Sequence, residues 1–321
     1  MGSEMTTLLA NVAVNEASNE ATRSGVTSAS TRSALTAADI AAVVKQHLSS
    51  IASELRPDVL AALGAARKNE SCPQAIAALD MLIENAKLAV DTGVPLCQDT
   101  GTVWVLIELG SQLNVELAGL QDVLDEVVEN SFKEQRLRAS TLRDALDERT
   151  NPGTNTPAFV EIIQHSSKQD NSDFQLQIHT MLKGAGSDNS SRVAMLPPTA
   201  GEEGIVQLVL DTVREKGSIA CPPMIIGVGI GSTFDKVAGL SKRALLRPLN
   251  QPAKSKTTAQ LEQRILDAVN ATDIGPAGLG GTTTALSVQI ETAPSHIASL
   301  PVAVNLMCCA LRSRSSTLSL R

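Results

Sequence analysis

Residues 94–102 read VPLCQDTGT, and they hold a thiol, an amide and a carboxylate side by side at Cys97, Gln98 and Asp99. The segment before them, residues 75–83, has the apolar spacing of a helix, and residues 103–107 form an apolar run typical of a buried strand. Cys97 therefore lies where a predicted helix passes into a predicted strand. Three reactive groups at such a junction predict a functional site.

Two more cysteines lie beside apolar runs far along the chain. Cys221 precedes the run 224–231, and Cys308 follows the run 301–307. None of the five cysteines forms a C-x-x-C pair, which excludes a zinc ribbon and a thioredoxin motif. One interpretation makes Cys221 and Cys308 small buried apolar residues, because free Cys is often buried. The other joins them with Cys97 as three thiolates without a fourth, a donor set that suits an iron–sulfur cluster with one open iron.

Composition narrows the classes of function. The chain has 321 residues, a net charge of -7 and no basic stripe interleaved with aromatic residues, which argues against a nucleic-acid partner. No apolar run approaches the roughly 18 to 20 residues of a membrane helix. Five cysteines, an odd number, without a secretory apolar segment favour a reducing compartment. We therefore expect a cytoplasmic protein, with an organellar matrix as the alternative.

The sequence divides into three segments. Residues 1–35 are rich in Ser, Thr and Ala and lack an apolar period, so we predict a flexible extension; its acidic residues argue against a transit peptide. A capping-box pattern at Thr36–Asp39 begins an apolar helical stripe, on which His47 is predicted to be a packing residue. One domain is expected to span residues 36–310. Residues 311–321 are expected to form a Ser/Arg-rich tail.

The fold class predicted from these patterns is α+β, with a helical N-terminal part followed by a mixed sheet with flanking helices. A long charged helix is predicted from Leu117 to about Glu148. Strict alternation over Phe174–His179 predicts a half-exposed antiparallel strand, near which His165 and His179 face solvent. Further strands are predicted at 158–164, 224–230, 285–291 and 302–307.

Three glycine-containing segments need interpretation. Residues 183–189 (KGAGSDN) and 275–283 (GPAGLGGTT) are predicted loops whose amides approach a carboxylate or phosphate closely, although for the first an ordinary turn is an equal alternative. Gly227-x-Gly229-x-Gly231 follows a predicted strand. We reject a dinucleotide site there, because the third glycine comes too early and the expected acidic residue is replaced by Arg247-Pro248.

In this order, the motifs resemble the class I fumarate hydratases and their relatives the L-tartrate dehydratases, which are iron–sulfur hydro-lyases. The likeness covers roughly residues 40–310, and chance does not produce so many matches in sequence. The matching segments are PLCQDTG (95–101), NTPA (155–158), KGAGS (183–187), CPP (221–223), GVGIG (227–231), ALLRP (244–248), GPAGLGGTTTA (275–285) and IETAPSHIASLPVAVN (290–305).

The resemblance implies a 4Fe-4S cluster held by Cys97, Cys221 and Cys308, whose unligated iron acts as a Lewis acid on the substrate's hydroxyl. It implies reversible hydration of fumarate to malate, a step of the tricarboxylic acid cycle, or dehydration of a related hydroxydicarboxylate. Such a reaction also needs donors for two carboxylates and a base for the carbon-bound proton.

The residues that match the family's substrate pocket are Gln98, Asp99, Arg138, Gly184, Gly186 and His296. By this resemblance Asp99 and His296 are the groups that handle or orient the proton. Arg138 and the loop amides at Gly184 and Gly186 are the carboxylate holders. A solvated helix position is the alternative for Arg138.

The sequence departs from the family after the third cysteine. A His-Ala-x-Arg type of segment is usual there, whereas here Cys308 is followed by Cys309. Cys308 comes twelve residues after His296, as in the family, so we expect Cys308 rather than Cys309 to be the ligand.

Single-chain members of the family continue into a second domain that supplies the main base, and this sequence ends before it. We therefore expect an α subunit that acts on a small dicarboxylate with a separate β subunit, in a homo- or hetero-oligomer. The alternatives are an L-tartrate dehydratase α subunit and a non-catalytic binding or assembly protein that kept the fold. Residues 183–189 and 283–285 are closer to the fumarate hydratases.

Overall fold

The structure is a computed structural model that describes residues 14–16, 34–166 and 175–319. Most of residues 1–35, for which the sequence predicts a flexible extension, lie outside these ranges. In chain order the elements are β1 (Val14–Glu16), β2 (Leu35–Thr36), α1 (Ala37–Ile51), α2 (Pro57–Asn69), α3 (Pro73–Thr92), β3 (Thr102–Leu109), β4 (Val115–Glu116), α4 (Leu120–Glu134), β5 (Phe159–Gln164), β6 (Gln175–Lys183), α5 (Ala185–Asp188), β7 (Arg192–Leu196), α6 (Gly201–Lys216), β8 (Met224–Ser232), α7 (Val237–Ala244), α8 (Lys256–Asn270), β9 (Ala285–Ser295), β10 (Leu300–Met307) and β11 (Arg312–Ser319).

The chain divides into two compact units. The first contains the segment up to Ile51, residues Thr100–Leu182 and the segment from Ser313 onward; the second contains Ala52–Asp99 and Lys183–Arg312. The predicted α+β class is confirmed. Each unit has its own sheet, whereas the sequence predicted one mixed sheet. Among the described residues, no helix combines the length and the apolar character needed to cross a membrane.

The first unit is organised around a five-stranded sheet with the order β1-β11-β6-β3-β5. Strand β3 pairs in parallel with β5, and its apolar run is almost completely buried, as the sequence predicted. Helices α1 and α4 pack against each other. The capping box is confirmed, because the Thr36 amide donates to Asp39 Oδ2 (2.9 Å) and the Asp39 amide donates to Thr36 Oγ1 (3.4 Å).

One local prediction in this unit is wrong, and a second is met over part of its length. The long helix ends at Glu134 instead of about Glu148, and Arg136 there takes a positive φ of 55°, which a continuing helix does not allow. Strand β6 alternates between intermediate and buried positions over Gln175–Ile178, as predicted, whereas its continuation from His179 to Lys183 is buried throughout. Phe174, at the start of the predicted strand, lies outside the described residues.

One of the predictions for the histidines of this unit is also wrong. His179 is buried instead of facing solvent: its Nδ1 lies 2.7 Å from Ser315 Oγ and its Nε2 lies 3.1 Å from Glu108 Oε1. His165 is partly exposed and contacts the other oxygen of Glu108. The prediction that His47 packs in the interior is confirmed.

The segment expected to form a Ser/Arg-rich tail contains a strand. Residues Arg312–Ser319 form β11, which lies between β1 and β6 and pairs antiparallel with β1. Several of its side chains are buried, among them Arg312, Ser316 and Leu318. Small hydroxyl side chains pack closely on a sheet and hydrogen-bond to side chains of neighbouring strands. A Ser-rich composition, which is typical of a tail, therefore also suits a central strand.

The second unit has a four-stranded mixed sheet with the order β7-β10-β8-β9. Strand β8 pairs in parallel with β9 and antiparallel with β10. Buried apolar residues of α6 and α8 join those of the sheet in one core. On β8, a Cβ atom at Gly227 would lie 2.2 Å from Ser241 O, and one at Gly229 would lie 2.5 Å from Val237 O. These glycines therefore admit α7 against the strand, in agreement with our rejection of a dinucleotide site.

Candidate functional site

The register of the second sheet brings two of the cysteines together. Cys221 precedes β8 and Cys308 follows β10, and Met307 at the end of β10 pairs with Ile225 at the start of β8. Because the two strands are antiparallel, both cysteines lie at the same end of the sheet. The Cys309 amide also donates to the Cys221 carbonyl at 3.2 Å, which ties the two segments together.

Cys97 comes from the turn that follows α3. Gly93, with a φ of 71°, ends the helix, and the next turn is held by bonds from the Leu96 amide to Ala52 O (2.8 Å) and from Asn85 Nδ2 to Leu96 O (3.0 Å). Cys221 is an exposed residue, but partial burial of its sulfur atom, followed by the charges of Cys308, Cys97 and Asp99, raises the pKa of the thiol. The three predicted cluster ligands thus lie within electrostatic range of one another.

Asp99 is held by the segment that the sequence predicted to be an amide-presenting loop. The Ala185 amide donates to Asp99 Oδ2 at 2.8 Å. A Cβ atom on Gly184 would lie only 3.0 Å from the same oxygen, so a glycine is needed for this approach. Residues Ala185–Asp188 form one helical turn, α5. At least one amide of the segment therefore binds a protein carboxylate.

The second glycine-rich loop supports the site through its backbone. The Ala277 amide donates to the carbonyl of Pro222, the residue after Cys221, at 2.9 Å. The Thr282 amide donates to the buried Glu70 carboxylate at 2.8 Å. Gly275 has a φ of 70°, and a Cβ atom there would lie 1.8 Å from Gly280 O. These amides are used within the protein, and their effect is to fix the Cys221 segment.

Two buried cations near this site were missed by the sequence analysis. Lys183 is 1% exposed, and its Nζ donates to Ser187 Oγ (2.9 Å) and to the Leu306 carbonyl. Burial, opposed by the charges of Asp188 and Cys308, lowers the pKa of Lys183 to about 8. Arg312, which the sequence assigned to the tail, is also 1% exposed. Two features of the sequence could have indicated these buried cations: a lysine at the end of a predicted strand and an arginine four residues after Cys308.

The structure does not bring His296 to the cysteines. His296 is exposed in the loop that connects β9 to β10 across the end of β8, where Ser295 pairs with Ser232. Seven residues of strand separate Ser232 from Ile225, which corresponds to about 23 Å. The Nδ1 atom of His296 accepts the Ala298 amide at 3.1 Å. His296 therefore lies at the opposite end of the sheet from Cys221 and Cys308.

The remaining predicted residues have mixed positions. Gln98 is exposed next to Cys97, and Gly186 is exposed on α5. Arg138 belongs to the first unit, where its side chain is exposed and its carbonyl accepts a hydrogen bond from Thr100 Oγ1. The group that lies together within the second unit consists of Cys97, Gln98, Asp99, Gly184, Gly186, Cys221 and Cys308.

The donor set of this group fits an iron–sulfur cluster. Within residues 14–16, 34–166 and 175–319, no three His, Cys, Asp or Glu side chains converge as the ligands of one metal ion do. Thiolates of a cluster do not need to converge, because each binds a different iron. Cys97 and Cys221 are exposed, Cys308 is partly exposed and Cys309 is buried. Of the adjacent pair, Cys308 is thus the more accessible donor.

Comparison with known proteins identifies the family. The family model described as "Fumarate hydratase (Fumerase)" matches residues 41–317. A Methanocaldococcus jannaschii protein named "Putative L(+)-tartrate dehydratase subunit alpha" is 40% identical over 276 residues, which cover 85% of this chain and 95% of that protein. The "L(+)-tartrate dehydratase subunit alpha" of Escherichia coli K12 is 30% identical over 270 residues, 84% of this chain and 88% of that protein.

These matches confirm the family that the sequence motifs indicated. The family match extends through residue 317 and so includes most of β11, beyond the residue 310 at which the resemblance was expected to end. The chain therefore belongs to the fumarate hydratase family and is a hydro-lyase.

Proposed function

We propose that the chain is the α subunit of an iron–sulfur hydro-lyase that adds water reversibly across the double bond of a four-carbon dicarboxylate. The proposed ligands of a 4Fe-4S cluster are Cys97, Cys221 and Cys308. The single observation that carries the proposal is the gathering of these three thiols beside the Asp99 carboxylate at one end of the second sheet.

When bound, the cluster supplies a Lewis-acidic iron that polarises the substrate's hydroxyl group. In the proposed mechanism Asp99 holds or moves a proton at its carboxylate, whose Oδ2 is fixed by the Ala185 amide. Gln98, exposed beside Cys97, donates from its amide group to a substrate carboxylate. The amide of Gly186, exposed on α5, is a second proposed donor.

Two residues of the predicted pocket have less support. The position of His296 at the far end of the strands does not support a role at the cysteines of its own chain. Arg138 lies in the first unit, and its role as a carboxylate holder remains a prediction from the family resemblance.

Two substrates are proposed. Fumarate and malate are the first, since residues 183–189 and 283–285 are closer to the fumarate hydratases. L-tartrate is the second, and the names of the relatives reported above support it. The same names support a separate β subunit as partner, because both relatives are called α subunits. An oxidant-sensitive cluster further supports a reducing compartment, such as the cytoplasm or an organellar matrix.

The test begins with anaerobic preparation of the chain and quantitation of iron and sulfide. We expect a brown protein that loses its colour in air, since three thiolates leave one iron accessible to oxidants. Hydration of fumarate and dehydration of L-malate and L-tartrate are then assayed with and without the β subunit. We expect the chain to be weakly active or inactive without the β subunit, because a positioned general base supplied by that subunit would contribute about 10² to 10⁴ in rate.

The outcomes separate the alternatives. Preference for L-tartrate over malate would select the second substrate. Full turnover of fumarate by the isolated chain would contradict the two-subunit proposal. A protein that takes up no iron under anaerobic reconstitution and gains no activity from a β subunit would contradict the hydro-lyase mechanism and favour a binding or assembly role.

A further inference from the structure

Two long cationic side chains are buried in the second unit, and the mechanism proposed above uses neither. Lys183 and Arg312 are each 1% exposed. The ammonium group of Lys183 is bonded to Ser187 and to the Leu306 carbonyl. Arg312 is different, because its Nε and Nη1 atoms are buried and have no hydrogen-bond partner among the described residues.

An arginine kept at such a position for stability alone would have its donors paired. A buried guanidinium whose N–H groups lack acceptors loses its hydration without replacement. An apolar side chain of similar size would avoid this loss. A cation retained in spite of it indicates that its charge is needed by a negative group nearby.

The surroundings of Gly184 identify that negative group. A Cβ atom built on Gly184 would lie 3.0 Å from Asp99 Oδ2 and 3.6 Å from Arg312 Nη2. The carboxylate and the guanidinium therefore flank the same point, and they attract each other through space rather than through a direct ion pair. Asp99 Oδ2 also accepts the Ala185 amide at 2.8 Å, so the carboxylate has a fixed orientation on this side.

We propose that Arg312 is a positioning residue for the hydro-lyase reaction, whose buried guanidinium orients the Asp99 carboxylate beside Gly184. The proposal rests on the proposed function, because it takes Asp99 as the proton-handling group of that site. It assigns a role to the fourth residue after Cys308, in a segment that the sequence alone marked as a tail.

The first experiment tests the pairing without requiring activity. Melting temperatures are measured for the full chain with Asp99→Asn, with Arg312→Met and with both changes. We expect the double variant to lose clearly less than the sum of the two single losses, because either change alone already removes the attraction between the two charges. Arg214→Met, on the exposed face of α6, is the matched control and should add to Asp99→Asn. If the losses in melting temperature of Arg312→Met and Asp99→Asn add as fully as those of the control pair, the proposal is overturned.

The second experiment tests the effect on the reaction in the cluster-loaded chain with its β subunit. For Arg312→Met we expect kcat to fall about 10²-fold, because a small misplacement of a catalytic group has an effect of this size. KM should stay within about threefold, and the absorbance of the cluster should be unchanged. Arg312→Lys keeps the charge and should retain kcat within about tenfold, which also covers the case in which Arg312→Met fails to fold.

The decisive comparison is the Asp99→Asn background, in which Arg312→Met should have little further effect on kcat. An undiminished fall in that background, or a rise in KM at constant kcat, would overturn the positioning role. A wild-type complex without turnover would overturn the proposed function and the reaction role together. Normal wild-type turnover with additive melting temperatures would overturn the Arg312 proposal alone.

Discussion

His47 in the first unit and Arg312 in the second are buried to nearly the same degree, 0% and 1% exposed, but their polar atoms have different surroundings. Both ring nitrogens of His47 have partners, Thr180 Oγ1 at 3.0 Å and Ser316 Oγ at 2.8 Å. Two nitrogens of Arg312 have none among the described residues. A fully paired polar group is explained by the fold, whereas an unpaired buried charge requires another reason.

The cysteines of the second unit also differ from the paired polar groups of the first unit. Free Cys is among the most buried residue types, yet Cys97 and Cys221 are exposed beside Asp99 in the second unit. The first unit pairs its described histidines with hydroxyl and carboxylate groups. In the second unit, Cys97 and Cys221 are thus accessible and the Arg312 guanidinium is incompletely paired among the described residues. We therefore expect changes there to affect chemistry and changes in the first unit to affect stability.

The largest expected effect comes from the cysteines. Cys97→Ser, Cys221→Ser and Cys308→Ser should each abolish the brown colour and the activity of the anaerobic protein, because a hydroxyl group is a poor substitute for a thiolate ligand of iron. Iron and sulfide quantitation with absorbance near 400 nm, a wavelength typical of such clusters, checks the result.

Cys72→Ser and Cys309→Ser are the matched controls and should keep the colour. Cys72 is partly exposed at the start of α3, and Cys309 is buried. A Cys309→Ser variant that loses its colour, together with a Cys308→Ser variant that keeps it, would move the ligand assignment by one residue.

A single added methyl group tests how Asp99 is held in the site. In Gly184→Ala the added Cβ would lie 3.0 Å from Asp99 Oδ2 and would shift the carboxylate by a few tenths of an ångström, so we expect kcat to fall about tenfold. In Gly64→Ala, on α2 and away from the site, an added Cβ would have no atom within 4 Å, and kcat should change little. Steady-state kinetics of the two variants side by side is the measurement. Equal effects would contradict the role of Gly184 in holding Asp99.

In the first unit, removal of His47 should lower stability without changing the chemistry. His47→Ala leaves a cavity and two buried hydroxyl groups, those of Thr180 and Ser316, without their partner, at a cost of about 3 kcal/mol in the free energy of unfolding. Denaturant unfolding measures this loss, with exposed Gln46→Ala as a control that should stay near zero. Loss of the cluster in a folded His47→Ala protein would contradict the expectation that changes in the first unit affect stability alone.

The smallest effect is a pH dependence of stability. Burial, followed by the charges of Arg314 and His179, lowers the pKa of His47 from 6.5 to about 3. The unfolded chain takes up this proton below about pH 6.5 and the folded chain resists it, so stability is complete above that pH and falls as the pH falls. Between pH 6.5 and pH 5 we expect a loss of about 2 kcal/mol, which His47→Gln should remove. Unfolding curves at the two pH values measure this loss. If the loss is unchanged in His47→Gln, His47 is not the group that causes the pH dependence.

Features that depend on neighbours in sequence were predictable. The strand after Cys97 was found because its apolar run is continuous, and the start of α1 was found because Thr36 and Asp39 cap each other locally. The segment 183–189 was found to be near the site, although its conformation, one helical turn, was not predicted. The family was indicated by the order of the motifs along the chain.

Features set by partners distant in sequence were not predictable. Alternation in 174–179 indicated one half-exposed face, which the strand shows over 175–178, but His179 is buried against Glu108 and Ser315, partners that are distant in sequence. Arg312 was missed for the same reason, because a Ser/Arg-rich composition describes an exposed tail equally well. His296 was grouped with the cysteines by motif, whereas the antiparallel register of β8 and β10 separates it from Cys221 and Cys308.

The exposure of Cys97 and Cys221 limits how long a sample survives air. Once the irons are lost, accessible thiolates oxidise first to sulfenic acid, which thiol reductants reverse, and then to sulfinic acid, which they do not. Cys309 is buried, so oxidants reach this neighbour less easily than they reach Cys97 and Cys221. Repair with iron, sulfide and reductant therefore succeeds only early after exposure. Later, the protein is a folded but permanently inactive chain.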